Sequence, residues 1–237
     1  MSILRERGEL SFSDPLSQHL DAEFMDGLHV LRGIEHSGEI RIRHLLNQTS
    51  GLYDSFWPLL QKLAENPSMR ITPREAVEWA KRNLSSKSKP GEKHHYTDTN
   101  YYLLGLIVER ITGERFHDAL HRLVFEPLGM QSAYMQGFSE PAVRSKHPPA
   151  QIFINGVDYS DTPGFAEIDY AGGGVRATLD DFLKFMTALV NHRVVRDWKL
   201  QQLTLQIQSA AVHATAGDQT ALEVSGNRPQ GRAGSGT

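Results

Sequence analysis

Between Pro90 and Gly113 the chain passes from a polar turn, His94-His95-Tyr96-Thr97-Asp98, straight into an apolar stripe, and this junction limits the fold more than any other stretch. Leu103, Leu104, Ile107, Val108 and Ile111 recur at the three- and four-residue spacing of one helix face. Asp98 or Thr99 can cap the start of that helix, and Gly113 can close its end. Tyr96 and Asp98 then stand just ahead of a buried helix, where unpaired backbone N–H groups favour negative charge. A phenol and a carboxylate are thereby presented at a helix mouth. A capped helix with a tyrosine in its lead-in turn explains the same spacing without any chemistry.

Other signals are mainly helical. Thr72-Pro73-Arg74-Glu75 supplies an N-cap, a proline at the first helical position and a glutamate at the third, ahead of Ala76, Val77 and Trp79. The apolar run from Phe116 through Leu120, Leu123 and Val124 stops at Pro127, and Thr178 with Asp181 opens a helix carrying Phe182, Phe185, Met186 and Leu189. Ile152, Phe153 and Ile154 before Asn155-Gly156, with Val157 after, predict a short hairpin, the one good strand signal. No internal repeat is visible.

A chain of 237 residues with 39% hydrophobic content can bury one sizeable core or two small ones. A net charge of -3 gives no support to a phosphate-binding surface, so nucleic acid is not an expected partner. Cysteine is absent, which excludes disulfides, thiolate metal sites and a cysteine nucleophile. No segment approaches the length of a membrane span. Compartment and oligomeric state are not determined by these features.

Several local patterns imitate functional motifs. His117-Asp118-Ala119-Leu120-His121 places two histidines four apart, as in a zinc helix, but aspartate is shorter than the required glutamate and no third ligand is evident. An exposed polar helix face accounts for both histidines, so no metal is expected. His94 and His95 adjoin Tyr96, and a loop placement accounts for them. Gly172-Gly173-Gly174 lacks the spacing of a dinucleotide loop and reads as close backbone approach, and no cofactor is expected. No Gly-x-Ser-x-Gly elbow occurs.

Read together and in order, several segments resemble one family. Gly8-Glu9-Leu10-Ser11-Phe12-Ser13-Asp14-Pro15-Leu16 resembles the G-x-L-x-L-x-D-P-V segment of the penicillin-recognising serine hydrolases, which include class C β-lactamases, DD-peptidases and related esterases. Residues 42–52, Ile-Arg-His-Leu-Leu-Asn-Gln-Thr-Ser-Gly-Leu, are similar to their I-R-H-L-L-T-H-T-S-G-L. Tyr96-Thr97-Asp98-Thr99-Asn100-Tyr101 is similar to Y-S-N-T-N-Y, Phe125-Glu126-Pro127-Leu128-Gly129-Met130 to F-x-P-L-G-M, and Ala171-Gly172-Gly173 to A-G-G followed by a helix.

The resemblance implies an α+β fold of the β-lactamase/DD-peptidase type, a helical lobe packed on an antiparallel sheet whose strands come from the two chain ends. For this chain it implies a mainly α structure with the sheet incomplete and an apolar face uncovered. It implies acyl transfer through a serine acyl-enzyme, on a small-molecule ester, amide or β-lactam. Tyr96 would move a proton, with Asp98 as its polar neighbour. A serine hydroxyl is a poor nucleophile until a base takes its proton. A tyrosine of pKa about 10 is a poor base at neutral pH unless cations lower it.

The chain also departs from that pattern. The family's S-x-x-K motif would lie about one helix upstream of Gly8, where Met1 leaves no room. The one literal match, Ser86-Lys87-Ser88-Lys89, falls in a Ser/Lys run before Pro90-Gly91 that reads as a solvated loop. No K-T-G or H-x-G follows Ala171 on a plausible strand. The expectation is a reading frame truncated at both ends, with a partial hydrolase domain over residues 1–196 and a divergent, poorly ordered tail over 197–237. Asp98 stands where the family has asparagine; an ionised aspartate only accepts hydrogen bonds, which leans toward esters over β-lactams. The alternative reading is an inactive remnant that binds a ligand or partner.

Overall fold

The computed structural model describes residues 1–197, 199 and 200. The chain opens with α1 (Ser2–Glu6) and α2 (Ala22–Met25), a hairpin of β1 (Val30–Leu31) and β2 (Ile34–Glu35), and α3 (Ile42–Leu46). Longer helices follow: α4 (Phe56–Glu65), α5 (Pro73–Asn83) and α6 (Thr99–Thr112). Beyond α7 (Phe116–Leu120) and a π-helical turn come β3 (Tyr134–Met135), the hairpin of β4 (Phe153–Ile154) and β5 (Val157–Asp158), α8 (Pro163–Gly173), β6 (Val175–Arg176) and α9 (Leu179–Val190).

α6 lies at the centre of the helical lobe, packed against α3, α5, α7 and α8. Leu103, Leu104, Ile107 and Val108 are buried as their spacing predicts, and Gly113 closes the helix in the left-handed conformation at φ 70°. Gly105 on the same helix has a packing role. A β-carbon there would lie 2.4 Å from the Tyr170 ring, so only glycine lets α8 approach this closely. α5 starts on a reciprocal cap: Thr72 Oγ1 accepts the Glu75 N–H at 3.2 Å, and Glu75 Oε2 accepts the Thr72 N–H at 2.8 Å. Thr178 caps α9 by accepting the Asp181 N–H at 3.4 Å.

Strands are short. The predicted hairpin forms with Ile154 opposite Val157, and Asn155 and Gly156 both take positive φ, as a two-residue loop of this kind requires. Two further antiparallel pairs, β1 with β2 and β3 with β6, escape sequence reading because two residues are too few to show alternation. On α9, Leu179, Phe182, Leu183 and Val190 are exposed, so an apolar face of this helix is uncovered among the described residues.

Two local expectations are corrected. The Ser86–Lys89 run is not a fully solvated loop: it is irregular but its burial alternates, with Ser86 and Ser88 buried and Lys87 and Lys89 exposed. It is held along residues 49–51, the Lys87 N–H donating to Gly51 O at 2.8 Å and the Gly91 N–H to Thr49 O at 2.7 Å. His117 is not on an exposed face either. It is buried and its ring packs on Phe138, while His121 meets Ser139 Oγ at 3.0 Å where the helix widens into the π-helical turn. The tail expectation falls almost wholly outside the described residues.

Candidate active site

The Tyr96–Asp98 turn is built from a chain of buried polar contacts. Thr97 points inward, donating its hydroxyl to Tyr53 O at 2.8 Å and accepting the Thr99 N–H at 3.1 Å. Thr97 therefore supplies the side-chain cap of α6. Asp98 occupies the N-cap position but makes no side-chain cap bond, contrary to the capping role its position suggests. Its backbone N–H donates instead to Asp54 Oδ1 at 3.2 Å. Asn100 locks the first turn, donating to Gln48 Oε1 at 2.5 Å and accepting the Ser50 hydroxyl at 2.7 Å.

Freed from capping, the Asp98 carboxylate accepts the Tyr96 hydroxyl at 3.2 Å. The two residues singled out in the sequence are thus in contact, with Tyr96 44% exposed at the surface and Asp98 half-buried behind it. Gly172 closes the site from the far side, and a β-carbon there would lie 2.8 Å from Asp98 Oδ1. The close approach expected of the glycine run is a contact with this carboxylate. At Gly173 a β-carbon would meet Asp169 Oδ1 at 2.6 Å.

Three carboxylates, Asp54, Asp98 and Asp169, share this neighbourhood. Burial pushes Asp98 up to about 6, the negative charges of Asp54 and Asp169 push the same way, and the Tyr96 hydrogen bond opposes them. Burial alone pushes Asp169 up to about 6. The Tyr96 phenol is held above its ordinary range, first by burial and then by the Asp98 charge. Among the described residues no lysine or arginine contributes to any of these shifts. At neutral pH the phenol is therefore a hydrogen-bond donor, not a phenolate base.

Asp54, Asp169, Thr97 and Gln48 were not picked out from the sequence. Asp54 lies three residues after Gly51, and Asp169 three residues before Gly172, so both flank recognised segments. His94 and His95 sit in the irregular segment before Tyr96; burial lowers His94, and the His95 N–H donates to Gln48 O at 2.8 Å. Among the described residues no group of three or more His, Asp or Glu side chains is arranged to hold a metal, and no helix is long and apolar enough to cross a membrane.

The D-aminopeptidase of Brucella anthropi is 27% identical over 149 residues, covering 60% of this chain and 26% of its own length. The putative penicillin-binding protein PbpX of Bacillus subtilis is 25% identical over 193 residues, covering 81% and 43%. Among solved structures, a penicillin-binding protein from Bacillus halodurans superposes with a TM-score of 0.65 at 27% identity, covering 85% of this chain and 57% of that one. A D-stereospecific amidohydrolase from Streptomyces superposes at 0.68 with 23% identity, covering 85% and 59%, and shares the fold. The chain thus spans less than half the length of these two curated relatives. The architecture is that of the β-lactamase/DD-peptidase fold, mainly helical with a few short antiparallel strands. The family model named Beta-lactamase matches residues 1–231, and the chain belongs to this family.

Proposed function

We propose that this chain carries the tyrosine–aspartate side of an acyl-transfer site for small amide or ester substrates, and does not form an acyl-enzyme on its own. The observation that carries the reading is the Tyr96–Asp98 contact at 3.2 Å with no cation acting on it among the described residues. Serine attack on a carbonyl carbon requires a group that accepts the hydroxyl proton. A phenol held above its ordinary range cannot take that proton at neutral pH, whereas an ammonium beside it would stabilise the phenolate and turn it into a base. Ser86 does not fill the nucleophile's place, since its hydroxyl is buried without a partner among the described residues, in the irregular segment after α5.

The charge of the site bears on substrate class. Three neighbouring carboxylates favour a substrate with a protonated amine and disfavour one that presents a carboxylate. An amino-acid amide or a peptide with a free amino terminus fits this better than a β-lactam. D-aminopeptidase is the name of a protein similar to this chain, which supports the amide class.

The test combines a serine-reactive fluorophosphonate, read by intact mass, with an NMR titration of Tyr96 and Asp98 against D-phenylalaninamide and against benzylpenicillin. Expected are an unmodified mass from folded protein and shifts of both residues with the amide alone. An adduct mapped to any serine would overturn catalytic silence. Shifts with the penicillin alone, or with neither ligand, would overturn the amide reading.

A further inference from the structure

Gln48 is buried in the loop after α3, and the backbone on both sides of Tyr96 ends on it. Its main-chain oxygen accepts the His95 N–H at 2.8 Å, and its side-chain Oε1 accepts the Thr97 N–H at 3.1 Å. The same Oε1 accepts Asn100 Nδ2 at 2.5 Å, so one carbonyl group ties the lead-in turn to the first turn of α6. Between the two anchored amides, the Tyr96 N–H has no acceptor among the described residues.

A glutamine is a costly choice for this position. Gln48 holds a left-handed backbone at φ 58°, which favours glycine or asparagine. Its Nε2 is buried without an acceptor among the described residues, and an unmade buried hydrogen bond destabilises the fold. An apolar residue selected only for packing would share the backbone cost but would leave no buried amide group without an acceptor. What glutamine offers in return is an acceptor on a side chain long enough to reach Thr97 and Asn100 together.

We infer that Gln48 is the positioning residue of the site: by receiving the amides at 95 and 97 it fixes the turn that sets Tyr96 against Asp98. This rests on the reading of Tyr96 and Asp98 as the working pair. Gln48 touches neither side chain's reactive atoms, and it acts through Thr97 and Asn100. Loss of the Oε1 acceptor lets the turn open, which solvates Asp98 and separates it from the phenol.

The experiment uses Gln48→Leu, which removes the acceptor, Gln48→Asn, which withdraws it by one methylene, and Gln48→His, which keeps a ring-nitrogen acceptor. In each folded variant the exchange rates of the Thr97 and His95 amides and the carboxyl titration of Asp98 are followed by NMR. Expected for Gln48→Leu and Gln48→Asn are Thr97 exchange faster by about tenfold or more and an Asp98 midpoint moving down from about 6 toward the ordinary aspartate range. Gln48→His is expected to restore both. A residue that only fills space would lower the melting temperature and leave the Asp98 midpoint alone, and that pattern would overturn the inference.

If Gln48→Leu and Gln48→Asn do not fold, the unaltered chain decides. Thr97 and His95 amides that are protected while the Tyr96 amide between them exchanges freely support the role, and equal, rapid exchange of all three overturns it. None of these measurements needs turnover or a bound substrate, so their failure is distinguishable from failure of the amide reading.

Discussion

Gly172 stands so close to Asp98 that a β-carbon at position 172 would lie 2.8 Å from the aspartate's Oδ1. The contact joins α8 to the mouth of α6 and explains why a glycine run lies beside the site: the carboxylate occupies the space where a side chain would be. Tyr101 lies on the same side, its Cδ2 3.9 Å from that position.

Gly172→Ala is expected to rotate the Asp98 carboxylate away from the phenol. The obstacle is the far end of a side chain, so the loss of stability should stay below about 1 kcal/mol. Gly164→Ala is the control. Its β-carbon would meet the Met69 carbonyl oxygen at 2.3 Å, which is backbone and cannot swing aside, so a loss of about 1–3 kcal/mol is expected. Urea unfolding gives both stabilities, and Asp98 titration by NMR shows whether the carboxylate has moved. An unchanged Asp98 signal in Gly172→Ala would contradict the contact.

The raised carboxylates set a pH dependence whose sign is opposite to that of a salt-bridged aspartate. Asp98 and Asp169 hold their protons up to about 6 when folded, against an ordinary aspartate value of about 4 in the unfolded chain. Their contribution to stability is therefore fully present below about pH 4 and is lost as pH rises through about 6. Asp98→Asn, which cannot ionise, should raise the urea midpoint more at pH 8 than at pH 4.5. Tyr96→Phe removes the one interaction that lowers Asp98, so the Asp98 midpoint should rise while stability changes by no more than about 1 kcal/mol. A fall in the midpoint would show that the hydroxyl does not bond this carboxylate.

Thr72→Ala removes the side-chain acceptor from the start of α5 and leaves Glu75 without its reciprocal partner. The expected cost is about 1 kcal/mol, read from thermal or urea unfolding. The Asp98 titration should not move, because the cap lies on a different helix. A variant as stable as the parent chain would mean that the proline at the next position alone sets the helix start.

Much of the helical lobe was legible because its signals act over four residues or fewer. The Thr72 box, the Thr178 cap, the Gly113 stop and the Asn155-Gly156 loop each depend on groups close in the chain, and each forms as its spacing predicts. Where a residue's surroundings come from distant segments, the same reasoning failed. His117 carries the polarity of a surface residue, but Phe138 covers it. Ser86 and Ser88 look solvated beside two lysines, but the segment is bonded along residues 49–51 and buries alternate side chains.

For the site, the sequence by itself determined that a tyrosine and an aspartate two residues apart precede a buried helix, and the order of its segments determined the family. Only the tertiary structure decided that Thr97 turns inward onto the Tyr53 carbonyl, that the Asp98 carboxylate meets the Tyr96 phenol instead of capping the helix, and that Asp54 and Asp169 gather beside it. The physical reason is range. Caps and helix periods are set by neighbours along the chain, whereas burial and the field of other charges, which put Asp98 and Asp169 at about 6, exist only once α6, α8 and the loop before α4 have packed together.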